Sequence, residues 1–223
     1  MSSASDVPLI GFDLDGTLIT CRAKQLSALR EALQVCAVEY DSDDALWQLK
    51  RDGATTIDAL VATGLDEARA RAVSQAWVER VETWPHMQRD ELFASVVPLL
   101  ERLKPKSRML LLSARREPEL FHRQVADLGI ARFFDFVEVV KSGKEAAQRK
   151  ALRLRAHGAV CYVGDTESDM DAAEQAGVPI FVVSTGQRSR SFLERAAARR
   201  QAAMPIFEEL AGAIHEVERE FLS

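Results

Sequence analysis

Five short apolar runs, each stopping at a polar or small residue, constrain this chain more than any other feature. They are Leu9–Asp13, Arg108–Ser113, Phe136–Val140, Ala159–Gly164 and Ile180–Ser184, and they are rich in strand-favouring residues. Single helical patterns follow the later ones, at Glu117–Leu128, Lys144–Ala156, Ser168–Ala176 and Ser189–Ala198. Gly129, Gly158 and Gly177 close three of these helices, as C-terminal caps do. Strands spaced by single helices read as βαβ units, so the expected class is α/β with a parallel sheet of about five strands.

One interval breaks that rhythm. Between Asp13 and Arg108 only helical pattern is found, at Gln25–Val38, Ser42–Arg51, Thr55–Ala62, Asp66–Trp84 and Phe93–Leu103. A crossover needs far less chain. The stretch 22–88 is therefore expected to be an inserted helical unit on one end of the sheet, with 1–21 and 89–223 forming the core. At the other end of the chain, Ile206, Leu210, Ile214, Val217 and Phe221 share a stripe, which predicts an amphipathic helix over Pro205–Leu222. It would pack on the sheet or on a second copy, so monomer and homodimer both stay open.

The 223 residues are 47% hydrophobic and 28% charged, enough for one large domain or a core with an insert. A net charge of −5 argues against a nucleic-acid binder. No run is long enough to span a membrane, and Met1–Pro8 has neither a basic start nor an apolar stretch like that of a secretory signal. Cys21, Cys36 and Cys161 fit no metal spacing, and a reducing cytoplasm is the simplest setting. Cys21 has no histidine nearby in sequence to activate it, so packing is its expected role. His86, His122, His157 and His215 stand apart from every motif and are expected in loops or at the surface, as are Arg188 and Arg190.

The first run ends in Asp13-Leu14-Asp15-Gly16-Thr17. In extended chain Asp13 and Asp15 point to one side, and Gly16 permits a sharp turn behind them. The second run ends in Ser113-Ala114-Arg115, and the fourth in Gly164-Asp165-Thr166-Glu167-Ser168-Asp169. Ligands of open parallel sheets bind at the carboxyl ends of the strands. Asp13, Asp15, Asp165 and Asp169 should converge there, and four acids together call for a cation; oxygen ligands fit Mg²⁺. Lys144 is the expected partner for an anionic substrate. It is preferred over Lys141 because it opens a helix from the loop side, and Lys150 should lie further along, away from the edge.

In this order, Asp13-Leu14-Asp15-Gly16-Thr17-Leu18, Leu111-Leu112-Ser113-Ala114, Lys144 and Gly164-Asp165-Thr166-Glu167-Ser168-Asp169 resemble the motifs of the haloacid dehalogenase superfamily. Ala176-Gly177-Val178-Pro179 and Thr185-Gly186-Gln187-Arg188-Ser189 look like its phosphoglycolate-phosphatase-like branch. The resemblance implies a Rossmann-like core with a helical cap inserted between the first and second motifs. It implies Asp13 as nucleophile forming an aspartyl-phosphate, and Asp15 as general acid and then base. It implies Ser113, Ala114 and Lys144 at the phosphoryl oxygens. Mg²⁺ would be held by Asp13, the Asp15 carbonyl and Asp165, with Asp169 binding directly or through water. Thr20–Lys24 and the Phe93 region would be hinges. Dehalogenase members lack the second aspartate, and a silent binding protein would be expected to lose one; both are present here. A phosphomutase of the β-phosphoglucomutase type keeps both, so phosphatase and mutase remain open on motifs alone. The expected substrate is a small phosphorylated metabolite. Lys50 and Arg51, a basic pair just before Gly53 and a capping threonine, are candidates to meet a second negative group on it. Trp47, Trp77 and Trp84 should pack the insert, and Arg115 should face the pocket.

Overall fold

The computed structural model describes residues 7–39, 43–200 and 204–222. The first six residues of the Met1–Pro8 stretch, and Ser42 at the expected start of the second insert helix, lie outside the described residues. The elements in chain order are β1 (Leu9–Phe12), α1 (Arg22–Val35), α2 (Asp43–Arg51), α3 (Thr56–Ala62), α4 (Glu67–Val81), α5 (Trp84–Met87), α6 (Val96–Leu103), β2 (Arg108–Arg115), α7 (Pro118–Asp127), β3 (Phe136–Lys141), α8 (Ala146–His157), β4 (Ala159–Gly164), α9 (Glu167–Ala176), β5 (Ile180–Val183), α10 (Arg190–Arg200), β6 (Ile206–Phe207) and α11 (Leu210–Phe221).

Among the described residues the six strands form one parallel sheet in the order β3-β2-β1-β4-β5-β6. This is the doubly wound arrangement, and its strand order reverses direction between β1 and β4. Both faces are covered, which explains why the strands read as continuous apolar runs. Alternation along the strands sends Ile10, Phe12, Met109, Leu111 and Val163 to one face, under α6, α7 and α11. Leu9, Leu110, Leu112, Tyr162 and Val182 go to the other, under α8, α9 and α10.

The sequence-based expectation falls short at the C-terminal end. Pro205–Leu222 is not one helix: Ile206 and Phe207 pair in parallel with Val182 and Val183 as a sixth strand. Only Leu210–Phe221 is helical, and it packs on the sheet through Leu210, Ala213, Ile214 and Val217. Ile206 happens to continue the helical stripe of Leu210 and Ile214, so periodicity alone joined a two-residue strand to the helix behind it.

Helices α1 to α4 surround an apolar cluster of their own, built from Leu29, Leu33, Leu46, Leu60, Val73 and their neighbours. The chain enters and leaves this helical cap through two strands of backbone lying side by side. Thr20 N donates to Glu91 O at 2.8 Å, Ile19 bridges Leu92, and Phe93 N donates to Leu18 O at 3.1 Å. His86 is not a surface residue. It is buried in the cap, with Nδ1 3.1 Å from Ser27 Oγ and Nε2 3.0 Å from Glu31 Oε2.

Candidate active site

The turn that follows β1 is held from above. Gly16 has φ +78°, and a Cβ on it would lie 2.2 Å from Asp165 Oδ2 and 2.7 Å from the Gly186 Cα. Thr185 Oγ1 donates to Gly16 O at 2.7 Å, and Gln187 N donates to Asp165 Oδ2 at 2.7 Å. The loop after β5 thus clasps the β1 turn and the Asp165 carboxylate together. Thr185, Gly186 and Gln187 lie in a segment read only as a branch resemblance, and nothing in their own chemistry marked them as part of the site.

Asp13, Asp165 and Asp169 meet at the switch between β1 and β4, with carboxylate oxygens within 4.8 Å of one another. All three are buried. Lys150 is the ammonium among them, its Nζ 2.5 Å from Asp13 Oδ1 and 2.7 Å from Asp169 Oδ1. Three carboxylates against one ammonium leave two negative charges, which a single divalent cation would balance. Burial first, and then Asp169 and Asp15 against the pull of Lys150, pushes the Asp13 carboxyl up to about 7. Burial, Asp169 and Asp13 push Asp165 well up. Asp165 Oδ1 is buried with no hydrogen-bond partner. A hard cation with oxygen ligands fits such a donor set. Asp169 is more fully occupied: its Oδ2 accepts from Thr166 Oγ1 at 2.7 Å and Thr166 N at 3.1 Å in the capping box of α9. Burial would raise its carboxyl, but Lys150 and Thr166 outweigh that and hold it low.

Asp15 sits in a different field. Lys24 Nζ is 2.6 Å from its Oδ1, and Arg115 Nη2 is 2.5 Å from its Oδ2. Burial opposes ionisation, yet Arg115 and then Lys24 hold the carboxyl at about 2. One aspartate therefore stands in an excess of negative charge, and the other, two residues on, between two cations.

The lysine expectation is corrected. Lys144 is exposed in the loop before α8. Lys150 reaches the acids because α8 begins at Ala146 and its inward stripe is Ala146, Lys150 and Leu154. Gly11 lets that stripe close on β1, since a Cβ there would lie 2.8 Å from Leu154 Cδ2. One turn up the helix is about 6 Å, the rise from Gly11 to Asp13 along the strand is about 6.6 Å, and helical side chains lean toward the N-terminus. A lysine four residues before Leu154 on an otherwise apolar stripe was the available signal. Ser113 and Ala114 lie near the end of β2, paired with Val139 and Val140; Ser113 is buried and Ala114 partly so.

The two basic cap residues have parted ways. Arg51 Nη2 donates to Ser184 O at 2.7 Å and to Arg188 O at 3.2 Å, so it fastens α2 to the loop after β5. Lys50 lies over the Trp77 ring at 4.0 Å and donates to Thr56 Oγ1 at 3.1 Å. Burial, and then the Arg188 guanidinium, lowers its ammonium to about 8. Arg188 is not a surface residue. It is partly buried, paired with Glu167 through Nε at 2.7 Å and Nη2 at 2.8 Å, and it donates to Lys50 O at 3.2 Å.

The haloacid dehalogenase-like hydrolase family matches residues 7–177. The chain belongs to this family and is a hydrolase. It is similar to the phosphoglycolate phosphatase of Rhodobacter capsulatus, 23% identical over 193 residues, covering 81% of this chain and 86% of the relative. It is also 26% identical over 218 residues to a Dickeya dadantii protein named "Probable phosphatase IndB", covering 93% of this chain and 94% of the relative. A haloacid dehalogenase-like family hydrolase from Streptococcus pneumoniae has the same fold, with TM-score 0.73 and 20% identity over 96% of this chain and 99% of that one. So does a protein described as a predicted phosphoglycolate phosphatase from Haemophilus somnus 129pt, with TM-score 0.69 and 18% identity over 96% and 100%.

Proposed function

We propose that this hydrolase is a Mg²⁺-dependent phosphatase of a small phosphate monoester, acting through a phosphoryl group carried on Asp13. The observation that supports this most is the unequal setting of the two aspartates. Asp13 lies in a cluster short of two positive charges, and Asp15 lies clamped between Lys24 and Arg115.

Lys150 occupies Asp13 Oδ1 and leaves Oδ2 to attack phosphorus. The P–O bond to the alcohol breaks as the bond to Asp13 forms; Lys24 and Arg115 keep Asp15 ionised in the free enzyme, so the proton it passes to the leaving oxygen is one the phosphate monoanion brings in on binding. Water then attacks the same phosphorus, Asp15 takes its proton, and free phosphate leaves with Asp13 restored. The carboxylate form in which Lys24 and Arg115 hold Asp15 suits this second half. Asp13, Asp165, Asp169 and the Asp15 carbonyl would hold Mg²⁺, which would offset charge on the acids and on the phosphoryl oxygens. Ser113, Ala114 and Lys150 would bind those oxygens. Helices α1 to α5 would open and close over the site. No described helix is long and apolar enough to cross a membrane. We place the protein in the cytoplasm because Cys21, Cys36 and Cys161 are all unpaired thiols.

The substrate we favour is phosphoglycolate or a similar small phosphorylated acid. Lys50 would meet its carboxylate, with Arg188 beside it. The test is a panel of phosphate esters with and without Mg²⁺, using Asp13→Asn as the blank. Turnover of at least one ester by the wild type with Mg²⁺ only is expected; metal-independent turnover would contradict the reading.

Two further outcomes are expected. Lys50 keeps its charge below about pH 8 and loses it above. The kcat/KM for phosphoglycolate should therefore fall above pH 8 by about 10- to 100-fold, the weight of one charged hydrogen bond. For ethyl phosphate it should not fall there, and Lys50→Arg should flatten the phosphoglycolate profile. In thermal melts, Mg²⁺ at a hundred times its Kd should stabilise the wild type by about 2.7 kcal/mol. Asp165→Asn should lose that gain, while in the absence of metal it should melt higher than the wild type because one repelling charge has gone. An equal Mg²⁺ shift in both proteins would sink the assignment of Asp165.

A further inference from the structure

Both stretches of chain that connect the sheet to the cap bring a charged side chain to the surroundings of Asp15, one in direct contact with it and the other through the first. Lys24 stands in the first turn of α1, and Asp90 follows α5 on the way back. Lys24 Nζ is 2.6 Å from Asp15 Oδ1 and 2.5 Å from Asp90 Oδ2, and these side chains are 4% and 0% exposed for Lys24 and Asp90. Gln124 of α7, in the core, continues the chain of contacts. Its Nε2 donates to Asp90 Oδ2 at 3.1 Å and to Met87 O at 2.9 Å. Its Oε1 accepts from Arg115 Nη2 at 3.2 Å, and the same Nη2 is 2.5 Å from Asp15 Oδ2. The contacts close into a ring: Asp15, Lys24, Asp90, Gln124, Arg115 and Asp15 again.

We infer that Lys24, Asp90 and Gln124 are positioning residues, and that this ring aligns Asp15 for proton transfer only when both crossings to the cap are seated. The inference rests on the reading of Asp15 as proton carrier. The ring fixes both oxygens of Asp15, so the carboxyl cannot rotate about its own axis without breaking a contact to a buried cation. It holds two carboxylates and two cations, so its charges cancel without recourse to the acid cluster on the other side of Asp13. Asp90 and Gln124 touch Asp15 only through Lys24 and Arg115, which makes them separable from the chemistry itself. A misplacement of about 1 Å in such a group costs on the order of a hundredfold in rate.

The test is the dependence on leaving group. The kcat/KM covers steps up to phosphoryl transfer, where an alkyl oxygen needs a proton and p-nitrophenolate does not. Asp90→Asn and Gln124→Met, both checked for folding by thermal melts, should lower kcat/KM for the best alkyl phosphate of the panel about 10- to 100-fold. For p-nitrophenyl phosphate the loss should stay below about threefold. An equal loss on both esters, or no loss on either, in the folded variants overturns the ring as a positioning device. Asp15→Asn is the internal standard. If it shows the selective loss while Asp90→Asn and Gln124→Met do not, only the ring fails. If Asp15→Asn lowers both esters equally, the reading of Asp15 fails, and the inference with it.

Discussion

Replacing Lys150 by Met is expected to lower kcat by about 10²- to 10³-fold, while Lys144→Met leaves kcat within about twofold of the wild type. The argument is positional. Lys150 is the cation within reach of Asp13 Oδ1, and it also holds Asp169, whose other oxygen caps α9. Losing it removes the positive charge nearest the reacting atoms and leaves two buried carboxylates facing each other, with Asp165 close by. Breaking a buried pair by removing one partner costs about 3–5 kcal/mol, so the variant should also melt lower. Mg²⁺ should recover part of that stability but not the rate, because a cation held by the acids does not replace the ammonium that would bind the phosphoryl oxygens. Lys150→Arg should not rescue the rate, since a planar guanidinium does not fit a slot shaped for an ammonium between two carboxylates. Parallel kinetics and melts of the Lys150 and Lys144 variants check all of this. A large loss in the Lys144 variant would restore the lysine that the sequence favoured.

Asp13→Asn is expected to remove turnover altogether, a loss on the order of 10⁴- to 10⁶-fold, without loss of fold. Asparagine keeps the shape of the side chain and its contact with Lys150, but its nitrogen and oxygen do not attack phosphorus at a useful rate. Removing one charge from an overcrowded cluster should leave metal-free stability unchanged or improved. Activity and stability should thus separate, which distinguishes a lost nucleophile from a lost structure. Phosphate release from the panel esters and thermal melts of the same preparation are the measurements.

The parallel sheet was legible because each buried strand had to be apolar and each had to end where the chain met solvent and ligand. That logic also carried Asp13, Asp165 and Asp169 to one edge. It failed at Ile206–Phe207, where two residues are too few for a period to register. It failed at Lys150 for a more instructive reason. Spacing from the presumed helix start favoured Lys144, but the helix begins two residues later, and burial depends on which stripe a residue joins. Lys150 shares its stripe with Ala146 and Leu154, and Lys24 shares one with Ala28 and Ala32. A lysine in the early turns of a helix, on a stripe that is otherwise apolar, must find a buried anion, and both of these do. The ring through Asp90 and Gln124 had no local trace, because its five members come from five separate segments that only the fold brings together.

The central claim is that Asp13 carries the phosphoryl group. The most direct measurement is acid quenching during turnover of the best substrate, followed by mass spectrometry of the peptides. The predicted result is one phosphoryl unit on the peptide containing Asp13 in the wild type, and none in Asp13→Asn. A phosphoryl group on any other residue, or full turnover by Asp13→Asn, would contradict the account.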